Sequence, residues 1–323
     1  MVAFCRAVSF ALACLFVLAN RASAADSYPS RPVHFINGFA AGGPVDTVAR
    51  IMAQALADRL GQQFNVENRT GSGGNIAAAS VISAPADGYT VLFVGANNAI
   101  STSLYKHLPF DFLLDTVPVA SFIQLPNMLV VANAMPVKTV GEFIDYCKAN
   151  PGKVSFASSG NGTSVHLSAE LFKAMTKCDM VHVPYRGSAM AYPDIISNKV
   201  QLIFDNLPGA LEQARGGSVR ALGVTSKERW SGVSDVPAIA ETVPGFEALV
   251  FYGMSAPKGT PPEVIGILNK AINDVLKDPN LVKRLSDLGG LPKPMTPAEF
   301  GKSLADETEK WCKVVEFAGV SVE

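Results

Sequence analysis

From Val33 onward, short apolar runs alternate with stretches in which apolar residues recur every three or four positions. Val33 to Phe39 reads as a strand, and the stretch 44–60 that follows places Val45, Val48, Ala49, Met52 and Leu56 on one helical face. Tyr89 to Gly95 is a second strand. The pattern then repeats: Met128 to Ala132 before a helix over 139–149, Val154 to Ala157 before 164–176, Met180 to Pro184 before 188–197, and Gln201 to Phe204 before 208–215. Strands near Arg220 to Thr225 and Leu249 to Ala256 close the series, and the remainder is helical. This alternation predicts an α/β fold with parallel sheets covered by helices on both faces.

Three helix starts are marked by capping sequences. Thr260-Pro261-Pro262-Glu263 and Thr296-Pro297-Ala298-Glu299 each offer a capping threonine, a proline at the first helical position and a glutamate able to reach back to the cap. Thr139-Val140-Gly141-Glu142 has the same box without the proline.

At 323 residues the chain is longer than one hydrophobic core usually serves. No Gly/Ser linker, internal repeat or low-complexity tract divides it. Two lobes without a linker require the chain to cross between them on strands, near Leu129 to Val131 and again near Val250 to Met254. That arrangement leaves a cleft with a hinge at its floor. The predicted lobes are 25–128 with 250–323, and 129–249.

The N-terminus changes the picture of where the chain works. Arg6, the apolar run Val8 to Ala19, and Ala22-Ser23-Ala24 form a cleavable secretory signal over 1–24, which sends the protein to the periplasm. The run is too short to span a bilayer of ~30 Å. Ala11-Leu12-Ala13-Cys14 offers a competing lipoprotein reading, with few apolar residues ahead of it. Without the leader, 25 basic side chains face 28 acidic ones, a net charge near −3 that gives no reason to bind nucleic acid. Cys147, Cys178 and Cys312 remain in an oxidising compartment. At most one disulfide forms among them, and the sequence does not select the pair.

The segment Phe39-Ala40-Ala41-Gly42-Gly43-Pro44-Val45-Asp46 joins a strand to a helix with small residues only. Its N–H groups near Gly42, Gly43 and Val45 would project beyond the helix start, where the helix dipole favours an anion. A tight strand-to-helix turn explains Gly42-Gly43 equally well. Ser158-Ser159-Gly160-Asn161-Gly162-Thr163-Ser164 has the same grammar and offers hydroxyls, an amide and backbone donors at a second helix start. Two such loops on opposite lobes would each grip one end of a dicarboxylate, although Thr163 serves as well as a plain N-cap. Tyr185-Arg186-Gly187 sits at a third strand-to-helix junction, where Arg186 would add one positive charge and Tyr185 a wall or a donor. Asp205 follows an apolar strand and could accept from a ligand or cap the next helix. Asp46 would repel a carboxylate if it faced the cleft, and its position lets it bond back to the loop instead.

Other chemistry lacks its signatures. Thr70-Gly71-Ser72-Gly73-Gly74-Asn75 misses the last glycine of a dinucleotide fingerprint and the Lys-Ser/Thr of a P-loop, so it is a cleft-rim loop or a turn. His34, His107, His166 and His182 show no metal spacing, and there is no G-x-S-x-G elbow or C-x-x-C pair. No catalytic residue, metal or cofactor is expected, and the chain is not an enzyme on this reading.

Taken in order, several strings resemble the Bug receptors, the extracytoplasmic solute-binding proteins of tripartite tricarboxylate transporters. They are Tyr28 to Pro32, Phe39 to Asp46, Val66 to Arg69, Gly71 to Asn75, Ala86 to Tyr89, Phe156 to Leu167, His182 to Gly187, Phe204 to Asn206 and Ala256 to Pro261. The resemblance implies a two-lobed periplasmic-binding-protein fold of type II, domain one drawn from both chain ends and domain two from the middle. It implies carboxylate capture by the loops Phe39 to Asp46 and Ser158 to Ser164, with backbone donors and waters, and raises the chance that Asp46 touches ligand or site water. The ligand classes implied are di- or tricarboxylates, acidic amino acids or aromatic acids, delivered by a monomer to membrane permease subunits. A sensory partnership with a membrane histidine kinase would use the same fold. Two departures stand out: Ile36-Asn37-Gly38 puts a polar residue before the first loop, and Asp111-Phe112 replaces an Asp-Pro turn.

Overall fold

The computed structural model describes residues 28–321, so the 1–24 leader lies outside the described residues. In chain order the elements are β1 (Val33–Asn37), α1 (Pro44–Leu60), β2 (Phe64–Asn68), α2 (Asn75–Ile82), β3 (Thr90–Gly95), α3 (Ala96–Leu104) and a short α4 (Phe112–Asp115). There follow β4 (Thr116–Ala132), α5 (Val140–Ala149), β5 (Val154–Ser158), α6 (Ser164–Thr176), β6 (Met180–Pro184), α7 (Tyr192–Ile196), β7 (Leu202–Asn206) and α8 (Leu207–Arg215). The chain ends with β8 (Val219–Val224), β9 (Leu249–Pro257), α9 (Pro262–Val275), α10 (Pro279–Asp287), β10 (Leu291–Pro292) and α11 (Pro297–Ala318).

The α/β expectation holds, but the sheet is mixed rather than parallel. Strand order is β2-β1-β3-β9-β4-β7-β5-β6, with β8 and β10 also on β4. The flanks are parallel: β1 pairs with β2 and β3, and β5 with β6 and β7. Every central pairing, β3–β9, β4–β9, β4–β7 and β4–β8, is antiparallel. The flanking strands are joined by βα crossovers, which enforce parallel pairing, whereas β9 returns beside β4 only after the chain has built the second half.

β4 is the spine. Its 17 residues run from one half of the sheet into the other. Thr116 to Pro126 pair with β9. From Asn127 onward the same strand is flanked by β7 on one side and β8 on the other. The apolar pattern reveals only Met128 to Ala132, because Pro118, Ser121, Gln124 and Pro126 interrupt the earlier part and register shifts fall beside Pro118 and Ser121. The partner change lies at Pro126/Asn127, a few residues before the predicted crossing. The return passes Ala248, whose N–H donates to Thr225 O at 2.8 Å, and Leu249, paired with Pro126.

Local signals mostly act as read. Thr296 and Glu299 form the complete box, Thr296 Oγ1 accepting from Glu299 N at 3.2 Å and Glu299 Oε2 from Thr296 N at 2.9 Å. Thr139 accepts from Glu142 N at 3.1 Å, but Glu142 reaches past it to Lys138 N at 2.6 Å. Thr260 does not cap. Pro261 holds an extended φ/ψ of −55°/137° because Pro262 follows it, which moves the helix start to Pro262 and leaves the Thr260 hydroxyl donating to Pro257 O at 2.8 Å. The stretch 188–197 is a 3-10 turn, Ser188–Met190, followed by the five-residue α7, not one helix.

The C-terminal helix α11 buries Phe300, Leu304, Trp311 and Val315 and packs on α3, β4 and α6, so it touches both halves. Under its first turn the chain admits no side chain: a Cβ at Gly253 in β9 would lie 2.5 Å from Phe300 Cζ and 2.6 Å from Ala120 O. Gly253→Ala is therefore expected to lower unfolding stability by about 1–3 kcal/mol through overpacking, measured by urea denaturation against wild type.

Candidate functional site

Four helix N-termini meet at one small cavity between the halves. Its wall includes Val45 in the first turn of α1, Gly95, Ala96 and Asn97 at the start of α3, Thr163 and Ser164 at the start of α6, and Asn206, which precedes α8. Phe39, Phe93, Val250 and Tyr252 supply apolar surface, and Ser159 a hydroxyl. First-turn N–H groups have no intrahelical acceptor, and four aligned dipoles put partial positive charge at their common focus. Among the described residues no Asp, Glu, Lys, Arg or His lines this cavity. Its volume is about 20 Å³, room for one water-sized species.

Outside it lies a mouth of about 240 Å³ formed by Gly71 to Gly74 on one side and Ser159 to Asn161 with Pro184 to Arg186 on the other. Phe39 and Ser159 line both spaces. The halves touch across the mouth: Tyr105 Oη donates to Asn161 O at 3.1 Å, and Gly73 packs on that same carbonyl. Ala40 lies against Gly187. The conformation is therefore closed, and the glycine-rich stretch 70–75 is its rim.

At the first loop, two of the three N–H groups expected to be bare are already used. Gly42 N donates to Asp46 Oδ2 at 3.0 Å and Gly43 N to Ala40 O at 3.4 Å. Asp46 also accepts from Arg50 Nε at 2.8 Å and Asn68 Nδ2 at 2.8 Å. Burial, the largest single influence, opposes its ionisation, but the hydrogen bonds from Arg50, Gly42 and Asn68 together hold the carboxyl below its ordinary value. Ala41 and Gly42 face solvent, and of this helix start Val45 reaches the cavity. Asn37 lies behind Phe39, its Oδ1 accepting from Phe39 N at 3.2 Å.

The second loop is fastened from behind. Thr163 caps α6 by accepting from His166 N at 3.2 Å and donates to Gly160 O at 2.8 Å. Ser158 is buried and lies 2.7 Å from His182 Nε2, while its oxygen accepts from Gly160 N at 3.1 Å. Gly162 has φ +75°, and its N–H donates to His166 Nδ1 at 3.4 Å. His166 and His182 stack at 4.1 Å between ring centroids, with Phe156 4.8 Å from His182. Burial pushes His166 down to about 3, aided by the neighbouring His182 and Lys173, and outweighs Glu170 3.8 Å away. Burial followed by Lys173 pushes His182 down to about 4.

Tyr185 and Arg186 flank the mouth, Arg186 exposed. The Tyr185 hydroxyl donates to Asp194 Oδ2 at 2.8 Å, and burial with that carboxylate pushes it up to about 12. Asp205 lines neither space. Its oxygens accept from Ser188 Oγ at 2.5 Å, Tyr192 Oη at 2.8 Å and Asn206 N at 2.8 Å. Complete burial raises it to about 6 against those bonds. It fixes the start of α8 and the Ser188 turn.

Sequence reasoning passed over Asn97, Asn206 and Tyr252. Tyr252 Oη donates to Asn206 Oδ1 at 2.9 Å, and Asn206 Nδ2 donates to Asn127 Oδ1 at 2.6 Å and Ser164 Oγ at 3.2 Å. Asn127 Nδ2 continues to Ser168 Oγ at 2.9 Å. The Gly95-Ala96-Asn97 start escaped because β3 passes into α3 with no intervening loop. Among the described residues no group of three or more His, Cys, Asp or Glu could hold a metal ion, and no helix is long and apolar enough to cross a membrane.

Residues 48–320 match the family model described as the tripartite tricarboxylate transporter family receptor. The chain belongs to this receptor family. Bug relatives confirm the resemblance seen in the sequence: Protein BugT of Bordetella pertussis is 36% identical over 302 residues, covering 93% of each chain. Among solved structures, Rpa4515 of R. palustris with adipate superposes with a TM-score of 0.89 at 35% identity, covering 91% of this chain and 99% of that one. MatC (Rpa3494) from Rhodopseudomonas palustris with bound malate gives a TM-score of 0.85 at 32% identity over 89% of this chain and 100% of that one. The family consists of solute-binding receptors, so the receptor is not an enzyme, and its fold is that of periplasmic solute-binding proteins.

The histidine stack makes the receptor's second loop sensitive to acid. In an unfolded chain both imidazoles protonate near 6.5, so from there down to about 4 the unfolded state takes up protons that the folded state refuses. The pair's stabilising contribution is complete above 6.5 and falls as pH falls through that window. Nuclear magnetic resonance of the two ring Cε1 protons is expected to show no titration down to about pH 5. The difference in thermal midpoint between wild type and His166→Phe should shrink on acidification through the same range.

Proposed function

We propose that the protein is a periplasmic receptor that closes on a small carboxylate and delivers it to the membrane permease subunits of a tripartite tricarboxylate-type transporter. The observation that carries this reading is the convergence of four helix N-termini, two from each half, on a cavity with no charged side chain among its described lining residues. Backbone N–H groups, the Asn97 amide and the hydroxyls of Ser159 and Ser164 suit an oxyanion, and no carboxylate among the described lining residues repels it. Arg186 lines the mouth, where its guanidinium suits a second carboxylate. Adipate with Rpa4515 and malate with MatC are both dicarboxylates, which supports that class over aromatic acids and amino acids.

Two lobes, close to the segments 25–128 with 250–323 and 129–249, turn about the partner changes at Pro126/Asn127 and Ala248/Leu249. Opening widens the 20 Å³ cavity to admit solute, and closure excludes water from the helix ends. A leader over 1–24 exports the chain, so the mature N-terminus is expected at Ala25, read by intact mass.

Titration calorimetry on protein stripped of carried-over solute, with adipate, malate, citrate, glutamate and benzoate, tests the ligand class. Saturable heat with an aliphatic dicarboxylate is expected, and no heat with any of the five refutes the reading. Arg186→Gln should weaken a dicarboxylate about tenfold and leave a monocarboxylate unchanged.

Gly73→Ala tests closure. Its φ of +62° and the Asn161 carbonyl beside it leave no room for a methyl group, so the variant should bind more weakly. Small-angle scattering should show its radius of gyration failing to contract when dicarboxylate is added.

A further inference from the structure

The three cysteines among the described residues are not equivalent. Cys147 lies in the last turn of α5 and Cys178 two residues beyond α6, and both are buried. Their thiols are near enough for each to shift the ionisation of the other. Cys147 Sγ also lies 3.8 Å from the carbonyl oxygen of Asp179, the residue after Cys178. The backbone on both sides is pinned: Cys178 N donates to Thr176 Oγ1 at 3.3 Å, and Gly152 N to Asp179 O at 3.2 Å. Cys312 sits on α11, where its thiol donates to Glu316 on the same helix at 3.7 Å.

We propose that Cys147 and Cys178 form a disulfide by exchange with a small or protein disulfide oxidant, leaving Cys312 free. The two sulfurs are unequal, which sets the order of events. The neighbouring Cys147 holds Cys178 down at about 7, whereas Cys178 and burial push Cys147 up. The Cys178 thiolate attacks one sulfur of the oxidant, forming a mixed disulfide and releasing one thiolate. That thiolate takes the Cys147 proton, and the Cys147 sulfur then attacks Cys178 and displaces the second thiolate. The receptor loses two protons and two electrons, and the oxidant's disulfide becomes two thiols.

The bond encloses residues 148–177, which contain β5, the loop Ser158 to Ser164 and α6. It would fasten both ends of the unit that presents the second ligand loop, restricting the unfolded chain without touching the cavity. Neither sulfur lines the cavity or the mouth, so the bond is independent of ligand chemistry.

The test refolds the mature chain in a buffer of oxidised and reduced glutathione, then denatures it and alkylates with iodoacetamide without reductant. Expected are one alkylated cysteine, Cys312, and a digest containing the Cys147 peptide joined to the Cys178 peptide. Alkylation of all three, or a link to Cys312, overturns the proposal. Cys312→Ser should retain the linked peptide and Cys178→Ser should lose it. Adding a strong reductant should lower the thermal midpoint of wild type by about 5 °C or more and leave Cys178→Ser unmoved. Equal midpoints for oxidised and reduced wild type would show that the bond is absent.

Discussion

The architecture turns on the change of partners within β4 at Pro126/Asn127. A strand that continues through such a point loses its neighbours on both edges at once, and its polar groups must find substitutes. Asn127 meets this need twice over. Its backbone N–H donates to Thr225 Oγ1 at 2.7 Å, and its side chain bridges Asn206 and Ser168. Thr225 in turn donates to Ala248 O at 2.6 Å, where the chain returns to the first half. Both connections between the halves therefore belong to one buried hydrogen-bonded network, and Tyr252 extends it to the cavity wall. In the low dielectric of this floor each lost partner leaves a costly orphan, which favours a hinge with few resting positions.

Above the hinge, binding capacity is built from chain direction rather than from charged side chains. A parallel strand that ends at the cleft must be followed by a helix that begins there, so the β1–α1, β3–α3, β5–α6 and β7–α8 junctions each deliver a positive dipole end to the same place. Local acids are neutralised within their own loops. Asp46 is spent on Gly42, Arg50 and Asn68, and Asp205 on Ser188, Tyr192 and Asn206. Both carboxylates shape a loop without contributing charge to the cavity wall.

Much of this was legible in the sequence where a strand, a small-residue loop and an amphipathic helix follow in order. Phe39 to Asp46 and Ser158 to Ser164 have that form, and the structure brings both loops to one cleft. The rest was hidden for identifiable reasons. β2 alternates polar residues at Asn65, Glu67 and Asn68 and carries little apolar signal. α2 and α3 begin in runs of glycine, alanine and asparagine that fit no helix-start rule. Asn206 and Tyr252 matter only because strands distant in sequence bring them within hydrogen-bonding reach, which no local pattern encodes. His166 was visible at a helix start, but its stacking on His182 depends on β5 and β6 lying side by side.

The position of β9 also governs how the chain reaches this state. β9 fills the gap between β3 and β4, yet it is synthesised after the whole second half, and α11 must then close over it. The second half, with contiguous βα units, can assemble early. The first half waits for residues that arrive last, and its long loop closures make its acquisition slow. A nascent chain lacking its final third has nothing to occupy the centre of that sheet, so native structure there appears only near the completion of synthesis.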